Sequence, residues 1–351
     1  MSRPWRSVYE YGDDLSECIK DRAVVICNHQ STADVPTLMS ALQWKGVACR
    51  KAMWVMAGMF KWSPFGVVSQ VHGDHFIWEG KDVRDKEIVR LGQHLKQVFW
   101  DRDRRWVILF PEGGFLYKRL ESSQNYARKN GYPVLKYVTL PRLGAFKAIM
   151  DAIGPREEVE DENEDTLSDE NQPPVNDKLS DKAKKAVNRN IKLLKDTVGA
   201  IRTKKYLRDT MPPVKYVLDV TIGYKDGVAL SADQLWFGTR RTQEDISVYY
   251  KVYKAEEVPF RDDDALRDWL FARFVEKEQM LEQFYKTDEF MPGEYGRKLS
   301  FNQFKILFQY AFWFLLFSLE VKFSVWCCTT LYRRLLDAFA FTLGPLYSLL
   351  V

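Results

Sequence analysis

A mixed α/β fold, a sheet with flanking helices followed by a C-terminal membrane-embedded helical segment, is predicted by three features of the 351-residue sequence. Short β-branched runs end abruptly in polar or glycine-bearing loops. Amphipathic stretches lie between them. After residue 300 the chain turns strongly apolar and aromatic. Strand, loop and helix in alternation favour a sheet whose functional groups sit at its strand ends.

The first run, Ala23–Cys27 (AVVIC), reads as a buried strand that delivers Asn28 and His29 at its end. Asp34 precedes Val35 and Pro36, which places it to cap a helix running towards Lys45. Phe65–Gln70 reads as a strand leading into VHGDHFI, and Asp82–Trp100 as a helix with Ile88, Leu91 and Leu95 on one face. Trp106–Phe110 (WVILF) is a second buried strand, ending in Pro111-Glu112-Gly113-Gly114, and Tyr137–Leu140 a third, ending at Pro141. Further on, Tyr216–Tyr224 and Ile246–Tyr253 read as strands. Asp264–Tyr285 is a long amphipathic helix through Leu266, Leu270, Phe274, Leu281 and Phe284.

With 46% hydrophobic residues the chain can bury a large core, which excludes a disordered or collagen-like protein. Its 52 Lys and Arg against 48 Asp and Glu leave only +4, which argues against a nucleic-acid partner. That charge is unevenly spread. Nine acids and no bases lie between Glu157 and Glu170, so the rest of the chain, +4 plus those nine, carries +13. Residues 151–178 therefore read as an acidic linker. After it, Ala183, Val187, Ile191, Leu194, Val198 and Ile201 recur at helical spacing in a stretch with eleven bases and two acids between Lys178 and Arg208. Such a helix suits an anionic bilayer surface, or docks its apolar stripe on the core. The expected organisation is a polar N-terminal segment (1–19), a core (20–150), the linker, a completing region (179–300) and a membrane segment (301–351).

In that last segment the longest uncharged runs, Ile306–Leu319 and Ala338–Val351, have fourteen residues each, short of the ~20 an uninterrupted span needs. Either a span tolerating Glu320 and Lys322 or a re-entrant or interfacial hairpin fits, against a buried helix pair. Cys327-Cys328 reads as apolar filler, with palmitoylation as the alternative. The five cysteines show no disulfide or zinc spacing, which suits a reducing, cytosol-facing setting, and MSRPWRSVYEYGDDLSE is no secretory signal.

His29 and Asp34 face each other across a strand-to-helix turn. The carboxylate can hold one ring nitrogen while the other takes a proton from a hydroxyl. Taken alone this spacing is equally that of a structural hydrogen bond. His72 and His75 have H-x-x-H spacing around Asp74, but a metal site needs a third and usually a fourth ligand. His94, in mid-helix, reads as structural.

The ordered set Asn28-His29-x4-Asp34, Gly73-Asp74-His75-Phe76-Ile77, Phe110-Pro111-Glu112-Gly113-Gly114 and Leu140-Pro141-Arg142 resembles the four blocks of the glycerolipid and lysophospholipid acyltransferase family. LKYVTLPRLGAF (Leu135–Phe146) and FVEKEQMLEQFYKTDEF (Phe274–Phe290) are most similar to its members that acylate lysophosphatidylglycerol. The resemblance implies a glycerolipid acyltransferase-like fold and acyl transfer from acyl-CoA, a co-substrate with no further cofactor or metal, to the free hydroxyl of a lysophospholipid. Lysophosphatidylglycerol is the favoured acceptor; lysophosphatidylethanolamine and lysocardiolipin are alternatives. It also implies an endoplasmic reticulum membrane location with a cytosol-facing site. His29 would be the general base and Asp34 its orienter. Asn28, Gly73, Phe76, Ile77, Phe110, Pro111, Glu112, Gly113, Pro141 and Arg142 would line the substrate site, with Glu112 positioning the acceptor, Pro141 shaping the acyl or CoA wall and the Gly113-Gly114 amides open to an anion.

The chain departs from the family pattern at three points. Glu79 stands where the second block usually ends in Arg, which disfavours lysophosphatidic acid and leaves Lys81 or Arg84 to supply a head-group cation. Gly114 replaces the usual Thr of the third block. Only 27 polar-leaning residues precede Asn28, where the family usually has an apolar segment, so anchoring falls to the C-terminal segment or the form is a shortened one. A degenerate, non-catalytic lipid or acyl-CoA binder is the rival class; the intact His29, Asp34 and Glu112 favour an enzyme.

Overall fold

A computed structural model describes residues 5–43, 45–80, 82–156, 212–229 and 244–299, and, towards the C-terminus, 308, 311–312, 315, 318–319, 321–322 and 325–334. The acidic linker beyond residue 156, the basic helix of 178–208 and Lys81 lie outside the described residues.

Eight strands form one mixed sheet. They are β1 (Trp5–Gly12), β2 (Ala23–Cys27), β3 (Ala52–Ala57), β4 (His75–Ile77), β5 (Trp106–Leu109), β6 (Tyr216–Tyr224), β7 (Glu244–Lys254) and β8 (Arg297–Lys298), in spatial order β4-β3-β5-β2-β6-β7-β1-β8. Strands β4, β3, β5, β2 and β6 run parallel to one another, and β7 returns antiparallel to β6. Parallel strands demand burial on both faces, which is why β2 and β5 are apolar at every position and fully inside. Alternate residues divide between the two faces: Val24, Ile26, Val107 and Leu109 join a large hydrophobic core cluster, whereas Val25, Cys27, Trp106 and Ile108 are buried outside it.

Helices fill both sides. They are α1 (Asp34–Leu42), α2 (Gly46–Arg50), α3 (Pro64–His72), α4 (Arg84–His94), α5 (Leu116–Asn130), α6 (Leu143–Ile153) and α7 (Asp263–Thr287). The large cluster takes Leu91 from α4, Phe146, Ile149 and Met150 from α6, and Leu266, Leu270, Phe274, Leu281 and Phe284 from α7, the stripe expected from the sequence. Helix α4 continues as a π-helical turn over Leu95–Phe99.

Several sequence expectations are corrected. Phe65–Gln70 is helical, not a strand: Ser63 Oγ accepts the Gly66 N–H (3.0 Å), Pro64 opens α3, and Gly73 closes it at φ +92°. Tyr137–Leu140 is irregular. Its backbone donors go to side chains, Tyr137 and Val138 to the Glu278 carboxylate and Leu140 to Ser123, so no ladder forms. The run AMWVMA, unassigned from sequence, is β3. Part of the stretch expected as a polar N-terminal segment is β1, paired with β7 and β8. Helix α1 ends at Leu42, short of Lys45, which turns into a buried ion pair with Glu10 at 2.8 Å.

The chain divides into two units, Met1–Lys298 and Leu299–Val351. In the second, the described residues from Phe308 on are helical, and Phe308, Leu315, Trp326 and Leu331 are exposed. No helix among the described residues is long and apolar enough to cross a membrane; residues 301–307 and 335–351 of the expected membrane segment lie outside them.

Candidate active site

The sheet order places three parallel strand ends side by side. β5 and β6 flank β2, so Phe110–Gly114, Asn28–Asp34 and Ile222–Tyr224 meet at one carboxyl edge, where α/β proteins build their sites.

His29 is held at both backbone groups and at its ring. Its N–H donates to Glu112 Oε1 (2.6 Å), its carbonyl accepts from the Leu116 N–H (2.8 Å), and Nδ1 lies 2.8 Å from Asp34 Oδ2. The ring stacks on Phe110 at 4.2 Å and tilts against Phe115 at 4.5 Å. Nε2 has no partner among the described residues, and the side chain keeps 13% exposure. One nitrogen is therefore fixed while the other is without a described partner on a ring that keeps some exposure.

Asp34 is the first residue of α1 rather than its cap, which is Ala33. Instead of capping, the fully buried carboxylate accepts the Ser31 N–H (2.8 Å) and the His29 ring on Oδ2, and the Tyr224 hydroxyl on Oδ1. Alternate residues of β6 explain the last contact. Asp219, Thr221 and Gly223 face α7, where Lys277 reaches Asp219 and Phe284 abuts Gly223, so Tyr224 points to the opposite face and meets α1. Burial and the Asp34 charge push the Tyr224 hydroxyl well above its usual range, so it stays a donor.

Glu112 is also fully buried. Oε1 accepts from His29, and Oε2 accepts both the N–H (2.8 Å) and the hydroxyl (2.7 Å) of Thr139. Burial pushes this carboxyl up to about 8, against the pull of those donors, so it holds its proton most of the time at neutral pH. Of its described hydrogen-bond partners, the Thr139 hydroxyl is the one able to accept from it when it does. The structure thus uses Glu112 to brace the His29 loop against the chain leading to Pro141.

The other residues named from sequence divide. Phe110 and Pro111 belong to the site: Phe110 by its stack on His29, Pro111 through its carbonyl, which accepts the Arg142 N–H (2.7 Å). Pro141 is buried. Asn28 is occupied by the fold, its amide exchanging bonds with both the N–H (2.8 Å) and the carbonyl (3.0 Å) of Ile222. The Gly113 N–H closes a turn on the Phe110 carbonyl (3.1 Å), which corrects the expectation that it is open to an anion. Gly73, Phe76 and Ile77 sit at the end of α3 and on β4, two strands from β5 and three from β2 in the sheet order, and no described hydrogen bond or ring contact links them to His29.

Beside the glycine turn lies a group of cations. A Cβ on Gly113 would stand 3.0 Å from Arg142 Cδ, and one on Gly114 3.1 Å from Arg119 Cδ, so the positive-φ glycines give the two arginine stems their beds. Arg119 Nε is buried without a hydrogen-bond partner among the described residues. Arg84 and Glu79 act on Arg142 as well; burial, then Arg119, lowers the Arg142 guanidinium and Glu79 raises it. Sequence reading missed Arg119, Thr139 and Tyr224. Only Tyr224, a hydroxyl ending an otherwise apolar strand face, left a signal in the text.

The histidines of V-H-G-D-H-F are structural. His72 Nδ1 lies 3.0 Å from Asp74 and its Nε2 2.8 Å from Arg104, while burial, helped by His94, lowers His75 to about 3. No group of metal-binding side chains occurs among the described residues.

The mixed α/β sheet brings a His–Asp pair and a buried glutamate together at its strand ends, and the comparisons with known proteins show that the chain belongs to the acyltransferase family. Residues 8–156 match the family described as Acyltransferase, and residues 240–313 that described as Acyltransferase C-terminus. The chain is 37% identical over 288 residues to the acyl-CoA:lysophosphatidylglycerol acyltransferase 1 of Homo sapiens, covering 82% of this chain and 67% of the relative; the Mus musculus protein of that name is 37% identical over 292 residues, 83% and 68%. It is 28% identical over 141 residues to the 1-acyl-sn-glycerol-3-phosphate acyltransferase epsilon of Mus musculus, 38% of this chain and 37% of the relative. No solved structure matches.

Proposed function

We propose that this protein transfers a fatty acyl group from acyl-CoA to the free hydroxyl of a lysophospholipid, with His29 as general base and Asp34 as its orienter. The observation that supports this reading is the fixed ring of His29: Nδ1 is committed to Asp34, and Nε2 has no partner among the described residues. Nε2 takes the proton of the acceptor hydroxyl as its oxygen attacks the thioester carbonyl carbon. The carbon–sulfur bond then breaks, and the imidazolium returns the proton to the leaving thiolate, giving CoA-SH. Asp34 stabilises the transient imidazolium. No enzyme nucleophile is required.

Lysophosphatidylglycerol is the acceptor favoured by the similarity to the two acyltransferases of that name. Its phosphodiester carries a single negative charge. Arg119 and Arg142, side by side at the glycine turn with Arg84 near, supply the cation that Glu79 does not, while Glu79 disfavours a terminal dianionic phosphate. The reaction is tested by thiol release from membranes containing the protein, supplied with acyl-CoA and lysophosphatidylglycerol. CoA-SH release is expected from the wild type and not from His29→Ala; absence of transfer to lysophosphatidylglycerol, lysophosphatidylethanolamine and lysocardiolipin alike overturns the reading. Competition among the three acceptors ranks them.

A further inference from the structure

Helix α3 is built inside out. Its inward positions are small or polar: Gly66 and Ser69 are buried, and Gln70 bonds to the carbonyls of Lys61 (2.8 Å) and Gly66 (3.3 Å). Phe65, Val67, Val68 and Val71 point outward, with Trp62 and Met59 exposed in the turn before them. Val71 and Trp62 are each 77% exposed. The orientation is locked, because a Cβ on Gly66 would come within 1.9 Å of the Phe60 carbonyl oxygen and only the small face can pack. An amphipathic helix in contact with water alone would be rolled the other way.

The patch has a definite electrical character. From Gly58 to Gly73 there is no Asp or Glu, and the one Lys or Arg is Lys61, whose Nζ lies 5.7 Å over the Trp62 ring. A valine and phenylalanine face bordered by a Trp and a Lys is the composition of a surface that enters the boundary between acyl chains and anionic head groups. Protein interfaces also use aromatic residues but add Arg anchors and a hydrogen-bonding polar rim, and Gly58–Gly73 holds no Arg. Trp78, next after the second block, lies against Gly58, where a Cβ would be 2.5 Å from its ring, so the patch and that block are packed together.

We propose that the outward face of α3, with Met59 and Trp62, is a docking surface for an anionic phospholipid bilayer, sinking to the depth of the acyl chains. This rests on the reading that the acceptor is a lysophospholipid, which enters from such a bilayer. It adds a contact on the catalytic unit itself to any anchoring by the C-terminal segment.

The test uses the full chain with Cys49, Cys327 and Cys328 replaced by Ser and a single Val71→Cys carrying an environment-sensitive fluorophore. Vesicles are phosphatidylcholine with a minority of phosphatidylglycerol, doped with lipids bearing a nitroxide on the acyl chain. The bound chain should show the Val71 probe quenched by the nitroxide and shielded from aqueous iodide, whereas a probe on Tyr126→Cys, exposed on α5, should show the reverse. A Val71 probe that stays open to iodide on the vesicle-bound chain, failure of the chain to bind vesicles, or shielding that persists without lipid through a second copy or another segment of the chain each overturns the proposal. The quenching needs no turnover, so it stands or falls apart from the enzyme reading. In a second arm, Val68→Ser with Val71→Ser should lower turnover of vesicle-embedded lysophosphatidylglycerol about tenfold and leave turnover of a monomeric short-chain acceptor unchanged; equal loss on both overturns it.

Discussion

The Tyr224 hydroxyl donates to Oδ1 of Asp34, 190 residues away in the chain, while Oδ2 of the same carboxylate holds His29. The proposed base is thus set by a chain of three side chains, one from each end of β2 and β6 and one from the start of α1. Tyr224→Phe removes the outer donor and leaves a buried acceptor unpaired. Stability should fall by about 1–3 kcal/mol, read from a denaturant midpoint. kcat should drop about tenfold or more with KM little changed, since Tyr224 touches Asp34 and not the acceptor.

Asp34→Asn should be far more damaging to turnover. The amide cannot hold the imidazole in the required tautomer or stabilise its charged form, and a loss of roughly 10³- to 10⁴-fold in kcat is expected by analogy with other His–Asp pairs. Thiol release at saturating acyl-CoA measures it.

Arg119→Ala should raise the KM for the lysophospholipid by about ten- to a hundredfold, the worth of one charge-assisted hydrogen bond, with partial recovery in Arg119→Lys. The KM for acyl-CoA separates the two phosphate sources: if it rises in place of the acceptor's, the arginine serves CoA.

Glu112 makes stability depend on pH in a defined direction. Its folded value, about 8, lies above the ordinary 4.5, so the folded protein holds this proton over a range in which the unfolded chain has lost it. The contribution is full below about 4.5 and is lost as pH rises through about 8. Urea midpoints of the wild type should therefore fall relative to Glu112→Gln as pH is raised across that window, and a constant difference would refute the assignment.

Lys277, fully buried on α7, pairs with the buried Asp219 and donates to the Val220 carbonyl. Lys277→Met strands that carboxylate and should cost about 3–5 kcal/mol. Adding Asp219→Leu should recover most of it, as thermal unfolding of the two variants will show.

Much of the site was legible because its parts are local. β2 and β5 announce themselves as uninterrupted apolar runs, and each ends in the residues that matter, His29 and Glu112. Asp34 was recognised by its distance from His29, although its purpose as a cap was misread: with Tyr224 and His29 as partners, the carboxylate has no oxygen turned to the helix end. Phe65–Gln70 was misread because valine and phenylalanine on an outward helix face carry the same letters as a buried strand; Ser63, Pro64 and Gly73 were the local signs of the helix. Tyr137–Leu140 failed for the opposite reason. Its composition suits a strand, but Glu278, far along the chain, takes the donors a ladder would need.

The sequence by itself determined the strands β2, β5, β6 and β7 and the long helix α7, because each depends on residues within a few turns or a strand of one another; His29, Asp34 and Glu112 were singled out by the ordered set of motifs, not by local spacing alone. Tertiary structure decided the rest. The order β5-β2-β6 pairs Ala23 with Trp106 on one side and with Tyr216 on the other, and that order brings Tyr224 to Asp34, Ile222 to Asn28 and Glu112 to His29. These contacts arise from the face a strand shows and the neighbour it meets, quantities that no short stretch of sequence contains.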